Sequence, residues 1–136
     1  MKRICVIDGQ GGGIGSLIIK RLKEEFGESI EIIALGTNSI ATSIMLKAKA
    51  NKGATGENAI IKTVKNADII VGSVSIIIAN SMLGELTPKM AEAIGDSHAK
   101  KFLLPLSQEG VEIIGTINEP LPHLVEYLIN KIKEDI

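Results

Sequence analysis

Five glycines fall within seven residues of this chain: Gly9, Gly11, Gly12, Gly13 and Gly15. An apolar run, Ile4-Cys5-Val6-Ile7, closes at Asp8 just before them. Just after them Ile14, Leu17, Ile18, Leu22 and Phe26 recur at helical spacing. Strand, glycine turn and helix in that order aim backbone N–H groups and a helix N-terminus at one point, where an anion is favoured. The order also commits the chain to an α/β sheet whose first strand feeds straight into a covering helix.

Downstream, apolar runs keep alternating with helical periodicity. Strands are expected over residues 3–7, 30–35, 67–71 and 101–106, with a very short edge strand over 52–54. The first helix should stop at Gly27, and Ile40, Ile44, Met45 and Ala48 mark a second. Thr55 or Gly56 caps a third helix, with Glu57 suited to its dipole. Residues 75–83 read as helical up to Gly84. Thr87-Pro88 then opens a helix ending at Gly95. Residues 107–110 read as a hairpin loop into an antiparallel edge strand at 111–114, although Pro105 weakens the strand before it. The last helix carries Leu121, Leu124, Val125, Leu128, Ile129 and Ile132. The expectation is a single Rossmann-like domain over residues 1–136. It is a three-layer α/β sandwich, with a mainly parallel sheet and one antiparallel edge strand.

Two spacings overlap in the glycine turn. Gly11-x-Gly13-x-x-Ser16 is a degraded dinucleotide fingerprint. Gly9-x-x-x-Gly13-x-Gly15, with Ile14 between the last pair, resembles the nucleotide loop of short-chain dehydrogenases. Gly9 then turns out of the strand, Gly13 lets a pyrophosphate approach, and Gly15 lets the helix pack closely. No Gly-Lys-Ser/Thr follows, so a Walker loop is excluded. The end of the second strand holds Thr37, Asn38 and Ser39 where an NAD site places an acid. Asp8 beside the turn would repel a phosphate unless backbone N–H groups or a cation compensate. It is read as a tie for the loop, or else as a holder of Mg²⁺ for a nucleotide.

The strand ends share one rim in such a sheet. The candidate cofactor-binding residues are therefore Asp8, Gly9, Gln10, Gly11, Gly12, Gly13, Ile14, Gly15, Thr37, Asn38, Thr55, Glu57, Asn58, Gly72 and Ser73. The cofactor expected is NAD(P) or another nucleotide. Asp8 and Glu57 are the acids placed to act as a general base.

The segments Ile7-Asp8-Gly9-Gln10-Gly11-Gly12-Gly13-Ile14-Gly15, Ala34-Leu35-Gly36-Thr37-Asn38, Gly53-Ala54-Thr55-Gly56-Glu57-Asn58 and Gly84-Glu85-Leu86-Thr87-Pro88 together resemble an uncharacterised family of short bacterial proteins. The likeness runs over nearly the whole chain. It implies a Rossmann-like fold and no established activity or catalytic residues. The dehydrogenase likeness stays local to the first loop.

Other groups argue against rival chemistries. Tyr127 and Lys131 spell Tyr-x-x-x-Lys, but an i, i+4 pair on a terminal helix reads as solvated neighbours. His98 and His123 lack a Cys/His/Asp cluster at ligand spacing, so no metal is expected. Ser73, Ser75 and Ser81 have no assignable base. Net charge is −1 and aromatics make up 2% of the chain. That pattern offers neither an electrostatic footprint nor a stacking platform for nucleic acid. Residues 69–83 are too short and too interrupted to span a bilayer. The N-terminus shows no signal peptide, and the lone Cys5 fits a reducing compartment, so the location expected is cytoplasmic.

At 45% hydrophobic residues and a mean hydropathy of +0.26, the chain has apolar surface to spare for a homo-oligomer. Three readings follow. The first is a domain that binds a nucleotide or other phosphorylated small molecule through Gly9 to Gly15. The second is a small enzyme on a phosphorylated metabolite, with Asp8 or Glu57 as base. The third is a non-catalytic interaction or regulatory protein whose contact surface is Ile76, Ile77, Ile78, Met82 and Leu83.

Overall fold

Alternation along three apolar strands sorts the core into two layers. The computed structural model describes residues 1–106 and 110–136. In β1 (Lys2–Asp8), Ile4 and Val6 point to one face and Cys5 and Ile7 to the other. In β2 (Ile30–Gly36), Ile30, Ile32 and Ala34 oppose Ile33 and Leu35. In β4 (Ile69–Ser73), Ile69 and Val71 oppose Ile70. A strand buried on both faces reads as a continuous apolar run, which is why these segments look alike in sequence. The short β3 (Lys52–Thr55) and β5 (Lys100–Leu104) form the edges.

The first face is covered by α1 (Gly13–Phe26), α2 (Ser39–Lys47) and α5 (Leu121–Asp135) through Ile18, Ile19, Leu22, Ala41, Met45 and the stripe from Leu124 to Ile132. The second face is covered by α3 (Glu57–Thr63) and α4 (Pro88–Asp96) through Ile60, Met90 and Ile94. Thr87 caps α4, its hydroxyl accepting from the Met90 amide, with Pro88 at the first helical position.

The sheet order is β3-β2-β1-β4-β5, and every pairing is parallel. The chain works outward from β1 to β3, then returns to place β4 on β1's other side. That reversal leaves a crevice at the carboxyl ends of β1 and β4, where open α/β sheets bind ligands.

Several expectations are corrected. Residues 111–114 form no strand. Pro105 ends β5 by removing a ladder donor, and Gly110 and Gly115, both at positive φ, bracket a segment whose Val111 and Ile114 stay exposed. The hairpin loop expected at 107–110 lies, Gly110 apart, outside the described residues. The fourth strand runs two residues later than its pattern implied. Residues 75–83 are not a helix. A short 3₁₀ turn, Val74–Ile77, gives way to an irregular loop. There the Ser81 hydroxyl takes the Ser75 carbonyl at 2.6 Å, and Asn80, Met82 and Leu83 adopt positive φ. The contact surface expected from this segment also changes, because Ile76 and Met82 are buried in the core.

Candidate functional site

The glycine turn is held from inside. Asp8, 7% exposed at the end of β1, accepts the Gly9 amide at 2.7 Å and the Gly15 amide at 2.6 Å. The Ile14 amide supports the same carboxylate. Burial pushes the Asp8 carboxyl above its ordinary range, the three amides pull it back down, and Glu85 adds a small push upward. No side chain caps α1 at its Gly12 N-cap. Asp8 therefore does that work from the strand, placing negative charge at the positive end of the helix.

A second carboxylate arrives from the loop after β4. Glu85 Oε1 accepts three hydrogen bonds: from the Gln10 amide at 3.0 Å, the Thr37 hydroxyl at 2.6 Å and the Asn38 side-chain amide at 2.8 Å. The Thr37 hydroxyl and then the Gln10 amide hold the Glu85 carboxyl below its usual range. Asn38 is committed further. Its Oδ1 caps α2 by accepting the Ala41 amide, and its Nδ2 also donates to the Gln10 carbonyl. Thr37 and Asn38, expected to meet a ligand, thus meet Glu85.

The turn's remaining amides divide sharply. The Gly12 amide donates to the Gly9 carbonyl at 2.9 Å. Among the described residues, the amides of Gly11 and Gly13 have no protein acceptor. Both glycines border an open depression of about 390 Å³, floored by the turn and walled by Leu121 at the start of α5.

Packing explains three of the five glycines. A Cβ on Gly9 would fall 2.5 Å from both Met82 Sδ and Thr37 Oγ1. One on Gly15 would fall 2.5 Å from Met45 Sδ, and Gly12 has φ +74° against the backbone of Ala41. At Gly11 and Gly13 a Cβ would meet nothing within 4 Å, and neither has positive φ.

None of the other candidates lines the depression over this turn. The Thr55 hydroxyl pairs with the Thr42 hydroxyl at 2.7 Å at the edge of the sheet. Glu57 accepts the Thr87 hydroxyl at 2.5 Å, tying α3 to the start of α4, so this acid is engaged as a helix-to-helix link. Asn58 is exposed on α3. Gly72 is closed in by the Ile7 carbonyl and Ile76, and Ser73 is buried at the end of β4. Tyr127 is exposed and Lys131 pairs with Glu134, so they form no catalytic couple. His123 pairs with Glu119 at 3.1 Å. Among the described residues, no group of three His, Cys, Asp or Glu side chains could hold a metal. No helix there is long and apolar enough to cross a membrane.

A family model matches residues 3–136, with all four loops discussed above inside the match. The chain belongs to the family described as domain of unknown function DUF3842. No curated protein matches it. Among solved structures, the chain is similar to a dodecameric FMN-dependent UbiX-like decarboxylase from Escherichia coli O157:H7. The identity is 13% and the TM-score 0.55, over 98% of this chain and 95% of that one. A likeness at that identity shows the fold. Within this member of DUF3842, the residues that sequence reasoning missed are Glu85 and Leu121. Glu85 stands in a segment singled out for its resemblance, between Gly84 and the Thr87 cap, but no local pattern says that it reaches back to the first loop.

Proposed function

We propose that this domain, residues 1–136, binds a phosphorylated small molecule, with the phosphate received by the Gly11 and Gly13 amides at the N-terminus of α1. The observation that carries this reading is the pair of glycines that neither backbone conformation nor packing demands. Their amides have no protein acceptor and face an open depression. A glycine that serves no neighbour in its own chain is well placed to let another molecule approach the backbone. Asp8 satisfies the inner amides, so the outer pair is what remains for a guest.

Ligand identity narrows by charge. Asp8 and Glu85 stand beside the turn, and there is no arginine near it, since the chain's two are Arg3 and Arg21. A compact phosphate with a neutral body suits this better than a group with a further phosphate on its ribose. The solved neighbour is described as FMN-dependent, which adds a flavin nucleotide to NAD(P) among the cofactors to try. We further propose a homo-oligomer working in the cytoplasm. Exposed Leu83, Ile114 and Ile117 and a neighbour described as dodecameric support the oligomer, and the lone buried thiol supports the location.

The test is thermal shift and calorimetry with FMN, NAD, NADP, ATP and coenzyme A, on wild type and Gly13→Asp. Binding of at least one by wild type, lost in a folded Gly13→Asp variant, is the expected result. Failure of all five to bind would end the reading.

A further inference from the structure

We propose that Glu85 is an internal stand-in for an anionic ligand group, and that the exposed tip of its loop, residues 83–85, is a strap that must lift for a ligand to take the donors Glu85 now holds. The proposal rests on the phosphate reading above and adds its regulation.

The first observation is the donor set. The Gln10 amide, the Thr37 hydroxyl and the Asn38 side-chain amide come from the turns after β1 and β2, and all three converge on Glu85 Oε1. Three donors on one oxygen make an anion site, here filled by the protein's own carboxylate. Among the described residues, the other Glu85 oxygen has no partner.

The second observation is position. Met82, from the same loop, lies directly over Gly9, where a Cβ would fall 2.5 Å from its sulfur. The loop thus seals the end of β1, next to the crevice that the sheet order creates.

The third is conformation. Asn80, Met82 and Leu83 have φ of 67°, 57° and 56°, and Gly84 follows at 90°. Left-handed backbone is costly for side chains other than glycine and persists only where something holds it. Leu83 gives nothing back by burial, being 97% exposed. The loop closes on itself through Asn80 N–H to the Leu86 carbonyl and Leu86 N–H to the Ser81 carbonyl. Ser81, Met82 and Leu86 anchor its ends in the core, and Glu85 ties its tip to the turns after β1 and β2. A strained segment fastened at its tip by one carboxylate is suited to release when another anion takes the donors.

The consequence is a measurable tax on affinity, because a ligand reaches these donors only in the fraction of molecules with the strap lifted. FMN, ATP and inorganic phosphate serve as probes, each titrated by calorimetry into wild type, Glu85→Gln and Glu85→Ala, with circular dichroism to confirm folding. Expected is about tenfold tighter binding, or more, of at least one probe by the variants. Hydrogen exchange on wild type with saturating probe is the second readout, with faster exchange at the amides of Gly84, Glu85 and Leu86. Equal or weaker binding by both folded variants, with exchange unchanged in wild type, overturns the strap and leaves the phosphate site standing. Absence of binding by wild type and both variants overturns the phosphate site, and the strap with it.

Discussion

Asp8 Oδ2 lies 2.6 Å from the Gly15 amide, so the last residue of β1 caps the helix that follows it. Its other oxygen holds the Gly9 amide, and the carboxylate thereby fixes both ends of the turn. Asp8→Ala strands the buried amides that the carboxylate holds and should cost about 1–3 kcal/mol by denaturant unfolding. Asp8→Asn keeps one acceptor, sets an NH₂ against the other amide, and should fall between. The pH dependence has a definite sign. The folded carboxyl lies above its ordinary value of 3.8, so the native state takes up the proton first. Asp8's contribution then grows as pH falls from neutral through the folded value and levels off below 3.8. The stability gap between wild type and Asp8→Ala should therefore widen on acidification, and a gap that narrows would contradict the burial argument.

The five glycines separate into two functional groups. Gly15→Ala drives a methyl into Met45 and should lose about 1–3 kcal/mol, with Gly9→Ala losing a similar amount against Met82 and Thr37. Gly13→Ala meets nothing and lies at the first position of α1, so it should be neutral or gain up to about 1 kcal/mol. Gly11→Ala should be neutral as well. Paired melting curves and ligand titrations check this: the stable variants are the ones expected to bind poorly.

Much of this arrangement is readable from sequence because it is local. Asp8, the glycine turn and the stripe from Ile18 to Leu22 follow one another closely, and a continuous apolar run and a period-3.6 stripe assign β1 and α1 directly. The parallel order follows from alternation of runs and stripes. Glu85 was hidden because its partners Gln10, Thr37 and Asn38 lie 75, 48 and 47 residues away. Only the return of β4 beside β1 brings them together. Residues 75–83 misled because three isoleucines in a row, Ile76 to Ile78, suit helix and buried turn alike, and the Ser81 hydroxyl bonds the Ser75 carbonyl in the turn that forms. Residues 111–114 misled because apolar alternation says nothing of whether an edge strand has a partner.

Glu85 titrates with the opposite sign to Asp8. Its folded carboxyl lies below the ordinary 4.5, held there first by the Thr37 hydroxyl. The stability it adds is complete above 4.5 and is lost as pH falls through the lower folded value. In an NMR titration, the Gln10 amide should report that midpoint, and the signal should vanish in Glu85→Gln. A Gln10 midpoint above 4.5 would contradict the three-donor site.

Cys5 sits in the centre of β1 with no exposed surface, and burial pushes its thiol up to about 12. Thiolate is the reactive form, so the native protein should resist a thiol reagent at neutral pH and label only on unfolding. The labelling rate in native conditions then measures opening of the strand itself. Rapid stoichiometric labelling would mean that the sheet breathes at β1.

The apolar side chains left outside both cores make the last prediction. Ile114 is 86% exposed and Ile117 77%, in a segment with no regular hydrogen-bonded structure beside Pro105 and Leu124. Water gains little from isolated exposed residues, but two β-branched side chains three apart on one irregular segment, with Val111 close by, add up to a patch worth covering. If copies of this chain cover it, light scattering should give a mass above 14.4 kDa. Ile114→Asp together with Ile117→Asp should then lower that mass while leaving the circular dichroism spectrum unchanged, because neither residue belongs to the core that holds the sheet. An assembly that survives the double substitution would move the contact to Leu83 on the strap and Ile77 in the turn before it, and a ligand that lifts the strap would then also change the mass.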